Sequence, residues 1–125
     1  MFGTCAGMIM LADTVLDARA DQETVGGLDV VVRRNAFGRQ VDSFEADLSV
    51  PVLGDEPFPA VFIRAPRVES VGSSIEVLAE ITEGTRAGTI VAVRHAGLLA
   101  TSFHPELGPD VRFHRMFVEI VQGAR

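Results

Sequence analysis

Leu28 to Val32 is the stretch that most narrows what this chain can become. It is apolar but for Asp29, it is rich in β-branched valine, and Gly26-Gly27 breaks the chain just ahead of it. Such a run reads as a buried strand, which other elements must cover. Elsewhere the pattern alternates. Val41 to Val50 sets Phe44, Ala46, Leu48 and Val50 against Glu45, Asp47 and Ser49, the signature of a half-exposed strand. Ile75 to Ile81 sets Ile75, Val77, Ala79 and Ile81 against Glu76 and Glu80. Gly84 and Gly88 then turn the chain into Thr89 to Val93, and Ala96-Gly97 turns it into Leu98 to Phe103, which completes a β-meander. Between these lie a proline- and glycine-punctuated loop, Pro51 to Pro59, and a short strand, Val61 to Arg64, that Pro66 stops.

Two helices are predicted. Ala6 to Leu16 carries Met8, Ile9, Leu11, Ala12, Val15 and Leu16 on one wide apolar face. The last element has Phe113, Met116, Phe117, Ile120 and Val121 at helical spacing behind Pro109-Asp110, with Asp110 as N-cap. The sum is an α/β fold with fewer helices than its strands need for cover.

At 125 residues without repeats or linkers, the chain reads as one domain, 1–125. An apolar share of 47% against 22% charged excludes intrinsic disorder. A chain this long buries roughly two-thirds of its unfolded surface, enough for one core. The formal charge of −6 argues against nucleic acid or an anionic membrane as partner. Cys5 is the single cysteine, so no internal disulfide forms and a reducing compartment is expected. Met1 to Ala12 is apolar and Ala18-Arg19-Ala20 resembles a cleavage site, but no basic residue precedes the stretch and Asp13 and Asp17 follow it. The chain therefore reads as cytoplasmic and unprocessed, with no run approaching the ~18 apolar residues of a membrane span. Every basic residue is arginine, and lysine, tyrosine and tryptophan are absent. That excludes a lysine Schiff base and a tyrosine acid, and leaves cysteine, histidine and carboxylates for catalysis.

The catalytic candidates lie near the two ends. Gly3-Thr4-Cys5-Ala6-Gly7 has the form G-x-C-x-G, the thiol counterpart of the nucleophile elbow. A sharp strand-to-helix turn thrusts one side chain outward, and the glycines tolerate the close approach of strand and helix. The helix N-terminus then favours thiolate, and the Ala6 N–H is a donor for an oxyanion. The pentapeptide alone serves equally well for a small buried cysteine. About a hundred residues on, the strand Leu98 to Phe103 delivers His104 at its end, and Pro105 brings Glu106 to the far ring nitrogen. Cysteine as nucleophile, histidine as base and glutamate as orienter is triad logic in thiol form. His95 precedes a glycine turn and His114 lies on the polar side of the last helix, so both read as surface residues.

The elbow together with Phe103-His104-Pro105-Glu106 resembles the triad-type, class I glutamine amidotransferases. Three further segments are similar to the glutaminase subunits of pyridoxal 5′-phosphate synthases. They are Arg34-Asn35-Ala36-Phe37-Gly38-Arg39-Gln40-Val41-Asp42-Ser43-Phe44-Glu45, Phe62-Ile63-Arg64-Ala65-Pro66 and Ser102-Phe103-His104-Pro105-Glu106-Leu107. The resemblance implies a flavodoxin-like three-layer sandwich with a mixed sheet. It implies hydrolysis of L-glutamine to L-glutamate and ammonia, with no metal or cofactor, and transfer of the ammonia to a barrel-shaped synthase subunit. It makes Cys5, His104 and Glu106 the triad. It places Arg34 and the Ile63-Arg64 pair at the glutamine, where a guanidinium suits an α-carboxylate.

Members of this family carry βαβ material ahead of the elbow, with a Pro-Gly-Gly-Glu-Ser-like loop that supplies the other oxyanion donor. This sequence contains no such loop, so the resemblance implies that an N-terminal βαβ portion is missing. Weak activity of this chain by itself is then expected, since losing one oxyanion donor costs ~10²–10³ in rate. Two alternatives stay open: an inactive docking subunit of the same complex, and a class I amidotransferase serving a different synthase.

Overall fold

The computed structural model describes residues 1–16, 24–34, 43–82 and 84–123. Residues 35–42 of the Arg34 to Glu45 block, the Val41 start of the first alternating strand, and Asp17 with Ala18-Arg19-Ala20 lie outside the described residues. In chain order the elements are β1 (Phe2–Thr4), α1 (Ala6–Leu11), β2 (Ala12–Leu16), β3 (Leu28–Arg33), β4 (Ser43–Leu48), β5 (Phe58–Ile63), β6 (Arg67–Val71), β7 (Glu76–Glu80), β8 (Ile90–His95), β9 (Leu98–Thr101) and α2 (Arg112–Val121).

The main sheet runs β1-β9-β8-β6-β3-β2, with β7 also paired to β8; β4 and β5 form a separate two-stranded ribbon. β1 with β9 and β2 with β3 are parallel, and the other pairs are antiparallel, so the sheet is mixed. It is also curled. In a flat sheet β1 and β2, five steps apart on the path, would be separated by about 24 Å. The six residues of α1 span only about 9 Å, yet the helix leads from the end of β1 directly into β2 and packs on β1, β9 and β2. The sheet closes part-way around α1 to allow this.

Each face carries its own core. On the α1 side Met8, Leu11, Leu28, Val30, Val32, Val93 and Ala100 pack together. On the other side Leu48, Phe58, Phe62, Leu99, Phe103, Phe113 and Met116 do, drawn from the β4–β5 ribbon, the sheet and α2. Strands β8 and β9 contribute to both clusters. They are the strands buried on two faces, whereas β3, for which that role was expected, buries Leu28, Val30 and Val32 and exposes Asp29. The ribbon lies over the sheet and does part of the covering.

Other expectations shift in instructive ways. The helix expected over Ala6 to Leu16 stops at Leu11, and its β-branched second half extends as β2 against β3. An apolar stretch of that length fits either conformation, and tertiary pairing decides. β5 begins at Phe58, three residues before expectation, and takes Pro59 into the strand; β5 pairs only with β4, so the missing donor can face its open edge. β6 was not anticipated at all. In β7 the register shifts between Val77 and Ala79, so Leu78 is buried and Val77 exposed. The alternation in β4 holds, with Leu48 buried and Glu45 and Asp47 exposed. α2 opens at Arg112 with Val111 in the cap position, yet the Asp110 carboxylate still accepts the Arg112 N–H at 3.1 Å, so the capping bond is made as expected. His114 is exposed but sets its ring edge-on to Phe2, and His95 is half-buried with Nδ1 3.2 Å from the Ser74 carbonyl. Val121 is exposed.

Arg112 fastens the ribbon to α2. Its guanidinium donates to the carbonyls of Glu56 and Pro57, each at 2.8 Å, and pairs with the Asp110 carboxylate at 2.7 Å. That partnership holds the Asp110 carboxyl below the usual carboxylate range. Arg112→Ala should lower the unfolding free energy by about 1–2 kcal/mol, and Arg112→Lys should restore little of it, because an ammonium lacks the planar fork. Denaturant titration of the three proteins checks this, and equal midpoints would contradict it. A second test lies in the elbow's glycines. A Cβ at Gly3 would sit 2.5 Å from the Gly7 carbonyl oxygen, whereas a Cβ at Gly7 meets nothing within 4 Å. Gly3→Ala should therefore destabilise by about 1–3 kcal/mol, and Gly7→Ala, on α1, should be neutral or stabilising by up to about 1 kcal/mol. Similar melting temperatures for the two variants would show that the approach of β1 and α1 is not what requires glycine.

Candidate active site

The site is assembled where three strands end. β1 and β9 are parallel neighbours in the register Thr4↔Thr101, so the residues that follow them emerge at the same end of the sheet. After Thr4 the chain passes straight into α1, and Cys5 is the joint. Its backbone sits at φ 52, ψ −106, a conformation that costs an L-residue about 1–3 kcal/mol. Two hydrogen bonds hold it there. The Cys5 N–H donates to the Thr101 carbonyl at 2.8 Å, and the Cys5 carbonyl accepts the Met8 N–H at 3.0 Å. Strand, strained residue and helix make the elbow expected from Gly3-Thr4-Cys5-Ala6-Gly7.

β9 delivers the second group. Phe103 is fully buried, with ring centroids 5.8, 5.5 and 5.3 Å from those of Phe58, Phe62 and Phe113. That packing fixes where the next residue emerges. His104 turns outward, its N–H bound to the Val61 carbonyl at 2.9 Å. A single 3-10 turn, Pro105–Leu107, then carries Glu106 back so that its Oε1 lies 2.6 Å from His104 Nδ1. A carboxylate on Nδ1 places the ring proton there and leaves the lone pair on Nε2.

β5 closes the arrangement. The Ile63 carbonyl accepts from Cys5 Sγ at 3.5 Å, and the Val61 carbonyl is the one that holds His104. Carbonyls two residues apart on a strand point to the same side, so one edge of β5 touches both halves of the site. The next residue, Arg64, is exposed and has a left-handed backbone, φ 46. Cys5, Ala6, Ile63, Arg64, His104 and Glu106 are thus drawn to one region. Arg34 is placed by a different junction. It follows β3, four strands from β1 along the path; its N–H donates to the Leu16 carbonyl at 3.2 Å, and its neighbour Arg33 stands opposite Arg67.

Electrostatics at the thiol departs from the sequence reading. Burial pushes the Cys5 thiol above its ordinary range, the Ala6 N–H pulls it back, and the nearby negative charge of Glu106 pushes it up again. Desolvation outweighs the helix end, as it can for a helix of six residues. Among the described residues no three histidine, cysteine, aspartate or glutamate side chains gather closely enough to hold a metal ion. None of their helices is long and apolar enough to cross a membrane.

Some participants had no sequence signal. The Val61 and Ile63 carbonyls are main-chain groups that any residue supplies. Thr101, fully buried, had no motif to mark it.

A cysteine on a strained strand–helix joint and a carboxylate-held histidine thus stand at the same end of a curled mixed sheet. Residues 1–123 match the SNO glutamine amidotransferase family, and the chain belongs to that family. It is 64% identical over 124 residues to the pyridoxal 5′-phosphate synthase subunit PdxT of a Nocardioides species, covering 99% of this chain and 61% of that protein. It is 59% identical to the PdxT of Nocardia farcinica, covering 98% and 54%. For that of Streptomyces coelicolor the identity is 60%, covering 100% and 59%. A crystal structure of a glutamine amidotransferase superposes with a TM-score of 0.85 at 48% identity, over 97% of this chain and 60% of that one. The chain thus spans little more than half the length of the curated relatives it matches.

The charge pattern yields a prediction. Because burial and Glu106 both raise the Cys5 thiol, its alkylation by iodoacetamide should reach half its maximal rate at a higher pH than free cysteine does. Glu106→Gln removes one of those causes and should move the midpoint down. A midpoint unmoved, or raised further, in the glutamine variant would show that Glu106 does not act on the sulfur.

Proposed function

We propose that the protein is the glutaminase subunit of a pyridoxal 5′-phosphate synthase, hydrolysing L-glutamine to L-glutamate and ammonia. The observation that carries this reading is the His104–Glu106 pair at 2.6 Å, at the same end of the sheet as the strained Cys5. A thiol pushed upward is protonated near neutrality and is a poor nucleophile unaided. His104, its Nδ1 proton held by Glu106, presents the Nε2 lone pair that can accept the thiol proton. The sulfur then attacks the side-chain amide carbon of glutamine, and the oxyanion that forms accepts from the Ala6 N–H. As the C–N bond breaks, His104 returns the proton to the leaving nitrogen, which departs as ammonia and leaves a γ-glutamyl thioester on Cys5. Water, deprotonated by the same imidazole, attacks the thioester and releases glutamate and the free thiol.

In this reading Arg34 and the Ile63-Arg64 segment hold the amino-acid end of glutamine. Arginine suits that end because its fork accepts a carboxylate at two points. The strained backbone at Arg64 is consistent with a segment shaped for a ligand. The names of the relatives, each a subunit of a pyridoxal 5′-phosphate synthase, support a second synthase subunit as partner; in this reading that partner is barrel-shaped and takes the ammonia, and the complex works in the cytoplasm.

The test is ammonia release from glutamine by the protein combined with its synthase subunit. Cys5→Ser and His104→Asn should each lower the rate by at least about a thousandfold, since members of a triad act as a unit. Turnover surviving in either variant would remove that residue from the chemistry.

A further inference from the structure

We propose that Thr101 is a positioning residue that sets the geometry of the nucleophile and the base together. Thr101 and Ser102 are the buried polar residues among those described, each with no exposed surface. They differ in what their hydroxyls do. The Ser102 Oγ has no hydrogen-bond partner. The Thr101 hydroxyl donates to the Phe103 carbonyl at 2.9 Å, two residues further on. That bond closes a small ring where β9 ends and the chain bends toward His104. The main chain of Thr101 faces the other way, and its carbonyl receives the Cys5 N–H at 2.8 Å. One residue therefore holds the backbone of the strained cysteine with its carbonyl and the approach to the histidine with its hydroxyl.

The energetics favour this division. A buried hydroxyl stabilises a structure only when it is bonded, and removing it strands the acceptor it served. The Phe103 ring is held in the aromatic cluster, and its carbonyl, the acceptor of the Thr101 hydroxyl, directly precedes His104. Losing its donor relaxes the bend, and the imidazole shifts relative to the sulfur. A displacement of about 1 Å in a catalytic pair can lower turnover by roughly a hundredfold while leaving substrate binding nearly intact.

This inference rests on the glutaminase reading, and the experiment separates the two. Ammonia release by the protein with its synthase subunit is measured for the wild type, Thr101→Val, Thr101→Ser and Ser102→Ala. Alkylation of Cys5 is followed across pH in the same proteins and in His104→Ala. Thr101→Val preserves shape and branching but has no hydroxyl; it should lower kcat by roughly tenfold to a hundredfold, with KM changed by less than about twofold. Thr101→Ser should recover most of the activity, and Ser102→Ala should match the wild type. In alkylation, Thr101→Val should move the pH midpoint from the wild-type value to that of His104→Ala, and Thr101→Ser should keep the wild-type midpoint. If the wild type releases no ammonia, the glutaminase reading fails, and the alkylation comparison still decides the role of Thr101. Wild-type kcat and alkylation in Thr101→Val would overturn the inference, as would equal losses in the serine and valine variants. Should Thr101→Val fail to fold, Thr101→Ala is read against Thr101→Ser, and indistinguishable profiles for that pair would overturn it too.

Discussion

The backbone at Cys5 is held where an L-residue is uncomfortable, and much of the architecture can be understood as what holds it there. Folded domains of this size are stable by only about 5–15 kcal/mol, so a strain of about 1–3 kcal/mol at one residue persists only if its surroundings overdetermine it. Here they do. The absence of a side chain at Gly3 lets the Gly7 carbonyl approach β1, which brings strand and helix together at the joint. The parallel pairing of β1 with β9 supplies the Thr101 carbonyl to the Cys5 N–H. The first turn of α1 takes up the Cys5 carbonyl. Because α1 is so short and must reach β2, the sheet has to curl, and the apolar face of the helix fills the hollow that results.

The same joint determines the electrostatic character of the site. A sulfur half-covered by packing loses hydration that a short helix end does not replace, and the carboxylate that orients the histidine adds an unfavourable charge nearby. Such a thiol rests in its protonated form. In the proposed reaction, nucleophilicity then depends on a correctly placed imidazole, which gives the positions of His104 and Glu106 more weight than the sulfur's own acidity. Arg112 acts at a distance on this geometry. By tying Glu56 and Pro57 to α2 it fixes the entry to β5, the strand whose carbonyls touch both Cys5 and His104.

What could be read from the sequence was mostly what side chains declare. Two glycines around a cysteine, and a His-Pro-Glu at the end of an apolar strand, pointed to the strained joint and to the pairing of His104 with Glu106, because each uses particular residues at fixed spacing. Phe113, Met116 and Ile120 marked the buried side of α2 for the same reason. Where the outcome depended on pairing partners, the pattern was insufficient. Ala12 to Leu16 is apolar enough for a helix and becomes a strand because β3 lies beside it. Arg67 to Val71 is too short and too polar to stand out, and forms β6 between β3 and β8. The bulge that exchanges Val77 for Leu78 leaves the alternation intact on paper. That β4 and β5 form a ribbon of their own was not legible, because a strand's pattern does not say which sheet it joins.

The contribution of β5 has an evolutionary side. It reaches the thiol and the histidine through the carbonyls of Ile63 and Val61, groups that are present whatever side chains those positions carry. Glu45 and Asp47, on its partner strand, are exposed and take no part in these two contacts. Sequence drift along the outer face of the ribbon can therefore run on while the grip on the two reactive groups is inherited unchanged, provided the strand keeps its length and its aromatic anchors. Homologues that differ widely here would still present the same pair of oxygens to the same two atoms.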